Sequence, residues 1–182
     1  MSVCFIKIET NGLHQTNHDV SQKNIHCFSR LVAINYLISD IDKKNKKFID
    51  KITKNIIIKP VKYSLNDSTK YHGITLDEAN ENGIDIKIML TEFKKNLEKI
   101  KGIITHNSDF VIKTLQSECL RENILIDFSK IPIIDLMNYK HSYSFPKLEF
   151  LINQYLGEKY LLKPKSYQVF LIKKIFTQLY FN

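Results

Sequence analysis

The sequence predicts an α/β fold on a mixed sheet whose first three strands run antiparallel. Three observations carry that prediction. The N-terminal third alternates β-branched and aromatic runs with turn residues. From Asp85 the apolar period changes to three and four residues. Beyond that point, helical patterns alternate with short apolar runs, as where helices cover a sheet.

The elements follow in order. Val3 to Ile8 is a strand that stops at the turn Thr10-Asn11-Gly12. Phe28 to Ile38 reads as the second strand and Ile52 to Ile58 as the third. Between them Asp40 to Lys47 is charged, lacks an apolar period and reads as a hairpin loop. Ile86, Leu90, Phe93, Leu97 and Ile100 share one helix face, with Gly102 as its expected end. Ile103-Ile104-Thr105 is a short buried strand. Ser108 or Asp109 is the expected cap of a helix through Leu115 and Cys119. Pro132 to Leu136 is a further strand. Leu148 to Tyr155 forms a helix ending at Gly157, and Val169 to Leu179 forms the last one.

With 182 residues, 43% of them hydrophobic and 25% charged, the chain is long enough to bury a core. No Pro/Gly/Ser-rich linker divides it, so one domain over residues 1–182 is expected. No run of 18 apolar residues exists, which excludes a transmembrane helix and gives no expectation of a membrane partner. The N-terminus is too charged for a secretory signal. Three scattered cysteines (Cys4, Cys27 and Cys119) form neither a metal pattern nor a disulfide framework. An intracellular, reducing compartment, cytoplasm or nucleus, is expected. The net charge of +8 attracts polyanions, but only Arg30 and Arg121 are arginines. The bias to Lys, Ile and Asn fits an AT-rich coding genome, viral, parasitic or bacterial, and weakens the inference from charge to nucleic acid.

One ordered set of motifs is specific. The first strand runs into Glu9-Thr10-Asn11-Gly12-Leu13. Tyr71-His72-Gly73-Ile74-Thr75 follows, then Thr105-His106-Asn107-Ser108-Asp109-Phe110, Ile134-Asp135-Leu136, and Lys147-Leu148-Glu149-Phe150-Leu151. In order and spacing they resemble the DEDDh 3′–5′ exonucleases, the proofreading (DnaQ-like) branch of the ribonuclease H-like fold, from about Val3 to about Phe176. The resemblance implies a ribonuclease H-like mixed sheet with helices on both faces. It also implies four acids holding two divalent cations, magnesium or manganese, and a histidine that activates water.

At those positions this chain departs from the family. Glu9 matches, but the Asp expected two residues earlier is Lys7, and the Asp expected after Phe110 is Val111. The last motif aligns with Lys163 in place of the histidine and Gln168 in place of the acid. No Asp, Glu or His follows Glu158 anywhere. Asp109 is no substitute for the lost acid, because two residues on a helix is about 200° of rotation. Lys7 and Glu9 share a strand face and are expected to pair where the metals would sit. The expected catalytic set, metal set and cofactor set are therefore all empty. Magnesium or manganese enters only if the chain is instead an active exonuclease with altered ligands.

Thr10, Leu13, His72, His106 and Asn107 fall where the resemblance implies nucleotide contacts, and Lys163 and Lys165 could follow a phosphate backbone. Each also has a structural reading. His106-Asn107 would hold a strand-to-helix corner, His72 to Thr75 would form a glycine turn with a threonine cap, and the lysines would form a solvated face. The expectation is a catalytically inactive exonuclease-like protein that binds single-stranded nucleic acid or scaffolds. The alternative is a structural subunit with a protein partner and no nucleic acid.

Overall fold

The computed structural model describes residues 1–182, the side chain of Asn66 excepted. Five strands form one sheet: β1 (Ser2–Thr10), β2 (Leu31–Asp42), β3 (Lys47–Ile57), β4 (Ile100–Thr105) and β5 (Ile133–Asp135). Their order across the sheet is β3-β2-β1-β4-β5. The β3–β2 and β2–β1 pairs are antiparallel, and the β1–β4 and β4–β5 pairs are parallel. The N-terminal meander is thus as the alternating pattern predicts, and the sheet is mixed.

Six α-helices accompany it among the described residues: α1 (Thr69–His72), α2 (Leu76–Asn82), α3 (Ile86–Leu97), α4 (Ser108–Arg121), α5 (Leu148–Leu156) and α6 (Gln168–Phe181). The period of two along β1 divides the core. Cys4, Ile6 and Ile8 face α3 and α4, packing with Met89, Phe93 and Leu115. Val3 and Phe5 face the other way, onto Ile172 and Phe176 of α6 and Leu151 of α5. Phe5 meets Phe48 and Phe176 edge to face, with ring centroids 5.2 and 5.8 Å away. Helices therefore cover both faces, the layout expected of a ribonuclease H-like sheet.

Four local expectations are corrected. The hairpin loop is shorter than charge alone implies: the ladder continues to Asp42 opposite Lys47. The Asp42 carboxylate closes the turn by accepting from the Asn45 backbone N–H at 3.0 Å. The second strand begins at Leu31 rather than Phe28. Arg121 takes the Phe28 carbonyl at 2.9 Å, so a side chain occupies a would-be ladder acceptor. Gly102 does not end α3, which stops near Glu98; it lies inside β4. There a Cβ would sit 3.4 Å from the Pro132 carbonyl, so the missing side chain suits close strand packing. Ile100, which shares the helical period, is a buried strand residue.

The fourth correction concerns α4. Its cap is Asn107, in the left-handed region at φ 62° and ψ 67°, not Ser108 or Asp109. Asn107 Oδ1 accepts from the Phe110 N–H at 3.4 Å. The Asp135 carboxylate, arriving from β5, accepts from the backbone N–H groups of Asn107 at 2.9 Å and Ser108 at 2.6 Å. The positive end of α4 is thereby neutralised from another strand. Asp109 points outward, 73% exposed, and pairs with Lys113 at 2.9 Å.

Candidate functional site

A cleft of about 720 Å³ opens where β1 and β4 end side by side. Parallel neighbours leave a crevice at their carboxyl ends, and here α1 closes the third side. Lys7, Glu9 and Thr10 supply one wall, His106 and Val111 the second, and His72 the third. The volume is within the usual range for small-ligand sites.

At the β1 wall the Lys7 Nζ donates to Glu9 Oε1 at 2.8 Å and to the Ile8 carbonyl at 2.5 Å. The two side chains are only 19% and 15% exposed. The pairing follows from strand geometry, since residues two apart share a face. Across the ladder Lys7 stands opposite Asn35, and Asn35 opposite Asn55, so a polar row crosses three strands. Val111 contributes a buried methyl surface to the same cleft.

These side chains do not fit a divalent cation pair. Oxygen-rich sites need several carboxylates or carbonyls converging on the ion. Here two carboxylates line the site, Glu9 beside an ammonium and Asp67 from the segment before α1, and a cation would have to displace Lys7 to reach Glu9. Among the described residues no group of three His, Cys, Asp or Glu side chains could hold a metal. Gln168 is buried at the start of α6 and does not line the cleft.

The histidines at the cleft are neutral donors. His106 donates from Nε2 to the Pro146 carbonyl at 2.8 Å. Burial pulls its pKa down, partly offset by that carbonyl and by Asp135. His72 accepts the Ile74 N–H on Nδ1 at 3.0 Å, so Nε2 donates to Ser68 Oγ at 2.9 Å. Ser68 in turn donates to the Leu65 carbonyl. Burial lowers the His72 pKa too, against the pull of Glu9. The Gly73 turn is left-handed at φ 81°, and Thr75 caps α2 by accepting from the Glu78 N–H at 3.1 Å. Both motifs thus carry structure, whatever else they contact.

The structure brings Thr10, Leu13, His72, His106 and Asn107 together on one cleft. Leu13 is 83% exposed at the mouth. Thr10 spends its hydroxyl on the Gly12 carbonyl at 2.7 Å. Lys163 and Lys165 are not on that cleft. Lys165 lines an adjoining cavity of about 220 Å³ that shares Glu9 and His72, and it pairs with Glu149 at 3.3 Å. Lys163 lies over the Tyr167 ring at 5.8 Å. On α6, Lys173 pairs with Asp50 and Lys174 lies over Tyr160, so much of this lysine face is engaged within the protein. Sequence reasoning missed Lys70, which lines the cleft and approaches the Tyr71 ring at 5.2 Å. One basic residue in a lysine-rich chain gives no signal before the fold places it.

No protein-family model matches the sequence, and no curated protein matches it. Solved structures do. The zinc-bound form of the Escherichia coli exonuclease I complex with single-stranded DNA superposes with a TM-score of 0.72 at 16% identity, covering 97% of this chain and 40% of that one. The E. coli enzyme in complex with a dA16 oligonucleotide gives 0.69 at 15% identity, covering 98% and 41%. Exonuclease I from Methylocaldum szegediense gives 0.58 at 13% identity, covering 85% and 30%. The chain therefore spans about two fifths or less of the length of these enzymes. The likeness establishes an exonuclease-like fold.

Proposed function

We propose that this protein is a catalytically silent exonuclease-like module that holds the end of a single-stranded nucleic acid without divalent metal. The observation that carries the proposal is the Lys7–Glu9 ion pair on the β1 wall of the cleft. An internal ammonium supplies the positive charge that two metal ions supply in a two-metal phosphodiesterase. It balances Glu9 but cannot polarise an attacking water. Losing the clamp and its activated water forgoes on the order of 10 kcal/mol of barrier lowering. No side chain lining the cleft offers a replacement: His72 and His106 are depressed by burial and engaged as donors.

Binding is supported by what the cleft keeps. Lys70 brings an exposed ammonium beside the neutralised Lys7–Glu9 pair, while Leu13 and Tyr71 present exposed apolar surface at its mouth. Apolar and aromatic surface beside cations suits unstacked bases and their phosphates. The fold neighbours include exonuclease complexes with single-stranded DNA, which agrees with this reading. The second reading is a scaffold for a protein partner. The engaged lysines of α6 favour it, because they leave little free charge to track a backbone.

The test is labelled single-stranded DNA and RNA incubated with the protein in Mg²⁺, in Mn²⁺ and in EDTA. Retardation that is equal in all three, without trimming, is the expected result. Metal-dependent trimming that a Glu9→Ala variant loses would overturn the inactive assignment. Absence of retardation at low salt would leave the scaffold reading in its place.

A further inference from the structure

The chain has only two arginines against a large excess of lysine, and the fold carries both to one place. Arg30, at the entry to β2, and Arg121, at the end of α4, line a second cavity of about 470 Å³. It borders the cleft and shares Asn11, Gly12 and Leu13 with it. We propose that this cavity is a phosphate-binding subsite, in which the Arg30 guanidinium fork receives a phosphate mono- or diester beside the positive charge of Arg121.

The geometry supports it in three ways. First, the forks are fixed. The Glu118 carboxylate, 1% exposed, accepts from Arg30 Nε and from the Leu31 N–H, each at 2.9 Å. The Arg121 Nη1 lies 3.2 Å from the same oxygen and donates to Ser117 Oγ at 3.2 Å, while Nη2 donates to the carbonyls of Ile25 and Phe28 at 2.7 and 2.9 Å, so Arg121 contributes its charge rather than a free fork. The Arg30 plane lies 4.4 Å over the Tyr63 ring. Preorganised forks lose less entropy on meeting an oxyanion than free lysines do.

Second, the charge is in excess. One buried carboxylate faces two guanidiniums. Burial lowers the Arg121 pKa, Glu118 opposes that, and the charge of Arg30 lowers it further. An anion between them would relieve that repulsion. Third, donors are left over. Among the described residues the Arg30 side chain makes one hydrogen bond, through Nε, leaving both terminal nitrogens uncommitted. A salt bridge to Glu118 alone would need only one arginine. Bidentate phosphate recognition uses what remains.

Two arginines give two side-chain Nε–H signals in a ¹⁵N-correlated spectrum of the full chain. Sodium phosphate is titrated against sodium chloride at matched ionic strength. Saturable movement of both signals with phosphate and not with chloride is expected, and two stationary signals overturn the subsite. Titration with a short unphosphorylated oligothymidine separates the sources. Movement of the arginine signals assigns the phosphate to a strand. Movement of the Lys7 and Glu9 amides alone leaves the cleft reading standing and overturns the strand as source. Movement with phosphate while the strand moves nothing assigns a free phosphate or nucleotide and counts against the cleft reading instead. Arg30→Lys keeps the charge and removes the fork. It should weaken phosphate binding about tenfold with the amide spectrum otherwise retained, and undiminished affinity overturns the bidentate role.

Discussion

The Lys7 ammonium lies 2.8 Å from the Glu9 carboxylate and 2.5 Å from the Ile8 carbonyl, so two of its three donors are spent within its own strand. Removing one partner leaves a mostly buried charge uncompensated. Lys7→Met should cost about 2–3 kcal/mol, below the range for fully buried pairs because both groups keep some solvent contact. The double variant Lys7→Met/Glu9→Leu should recover most of that loss. Urea denaturation of the three proteins measures it, and a double variant as weak as the single one would contradict the pairing argument.

Adding acids around the cleft should create metal affinity. Lys7→Asp/Val111→Asp adds two carboxylates to a cleft lining that already holds Glu9 and Asp67. Without cations they repel, so the variant should melt lower in EDTA than the parent and rise with added Mn²⁺. The parent should show no Mn²⁺-dependent rise. Thermal melts with and without the ion decide both points.

Gly83 is sterically obligatory. A Cβ there would lie 2.2 Å from the Ala79 carbonyl and 2.6 Å from the Lys59 nitrogen, both backbone atoms. Its φ of −75° is open to any residue, so the constraint is proximity and not handedness. The following residue, Ile84, bridges to Ile58 beyond β3. Gly83→Ala should destabilise the fold by about 1–3 kcal/mol through forced overpacking, read as a lowered urea midpoint.

Stability should fall on mild acidification. His14, His72 and His106 all have pKa values below the ordinary 6.5, with burial the leading cause. The unfolded chain therefore takes up protons first as pH drops. Their contribution is complete above 6.5 and is lost as pH falls through the lower folded-state values. Urea midpoints should decline from about pH 7 to about pH 5. His72→Gln should flatten that slope. An identical slope in the variant would remove His72 from the set.

Cys4 and Cys119 should be inert in the native state. Burial pushes the Cys119 thiol up to about 12 and the Cys4 thiol higher still. A thiol reagent should modify Cys27 at most in the folded protein and all three in urea, as intact mass would show.

Much of the fold is legible in the sequence because burial acts at short range on a repeating pattern. Alternation in Val3 to Ile8 fixes two faces of β1, and the spacing of Ile86, Leu90 and Phe93 fixes one face of α3. Where the pattern is ambiguous, sequence reading slips. Ile100 continues the helical period yet belongs to β4, and a glycine two residues on reads as a helix end although it lies inside a strand. The pairing of Lys7 with Glu9 was legible too, since a strand places alternate residues together.

Contacts between distant segments were not legible. Asp135 neutralises the start of α4 from β5, and Glu118 draws Arg30 from 88 residues away to Arg121 on its own helix. Lys163 and Lys165, close in sequence to the last expected motif, fall outside the main cleft. The sequence by itself determined the strands, the main helices and the Lys7–Glu9 pairing, because each depends on residue type and local spacing. Only the tertiary structure decided which charges meet, because Coulomb and hydrogen-bond energies depend on distances that chain separation does not set.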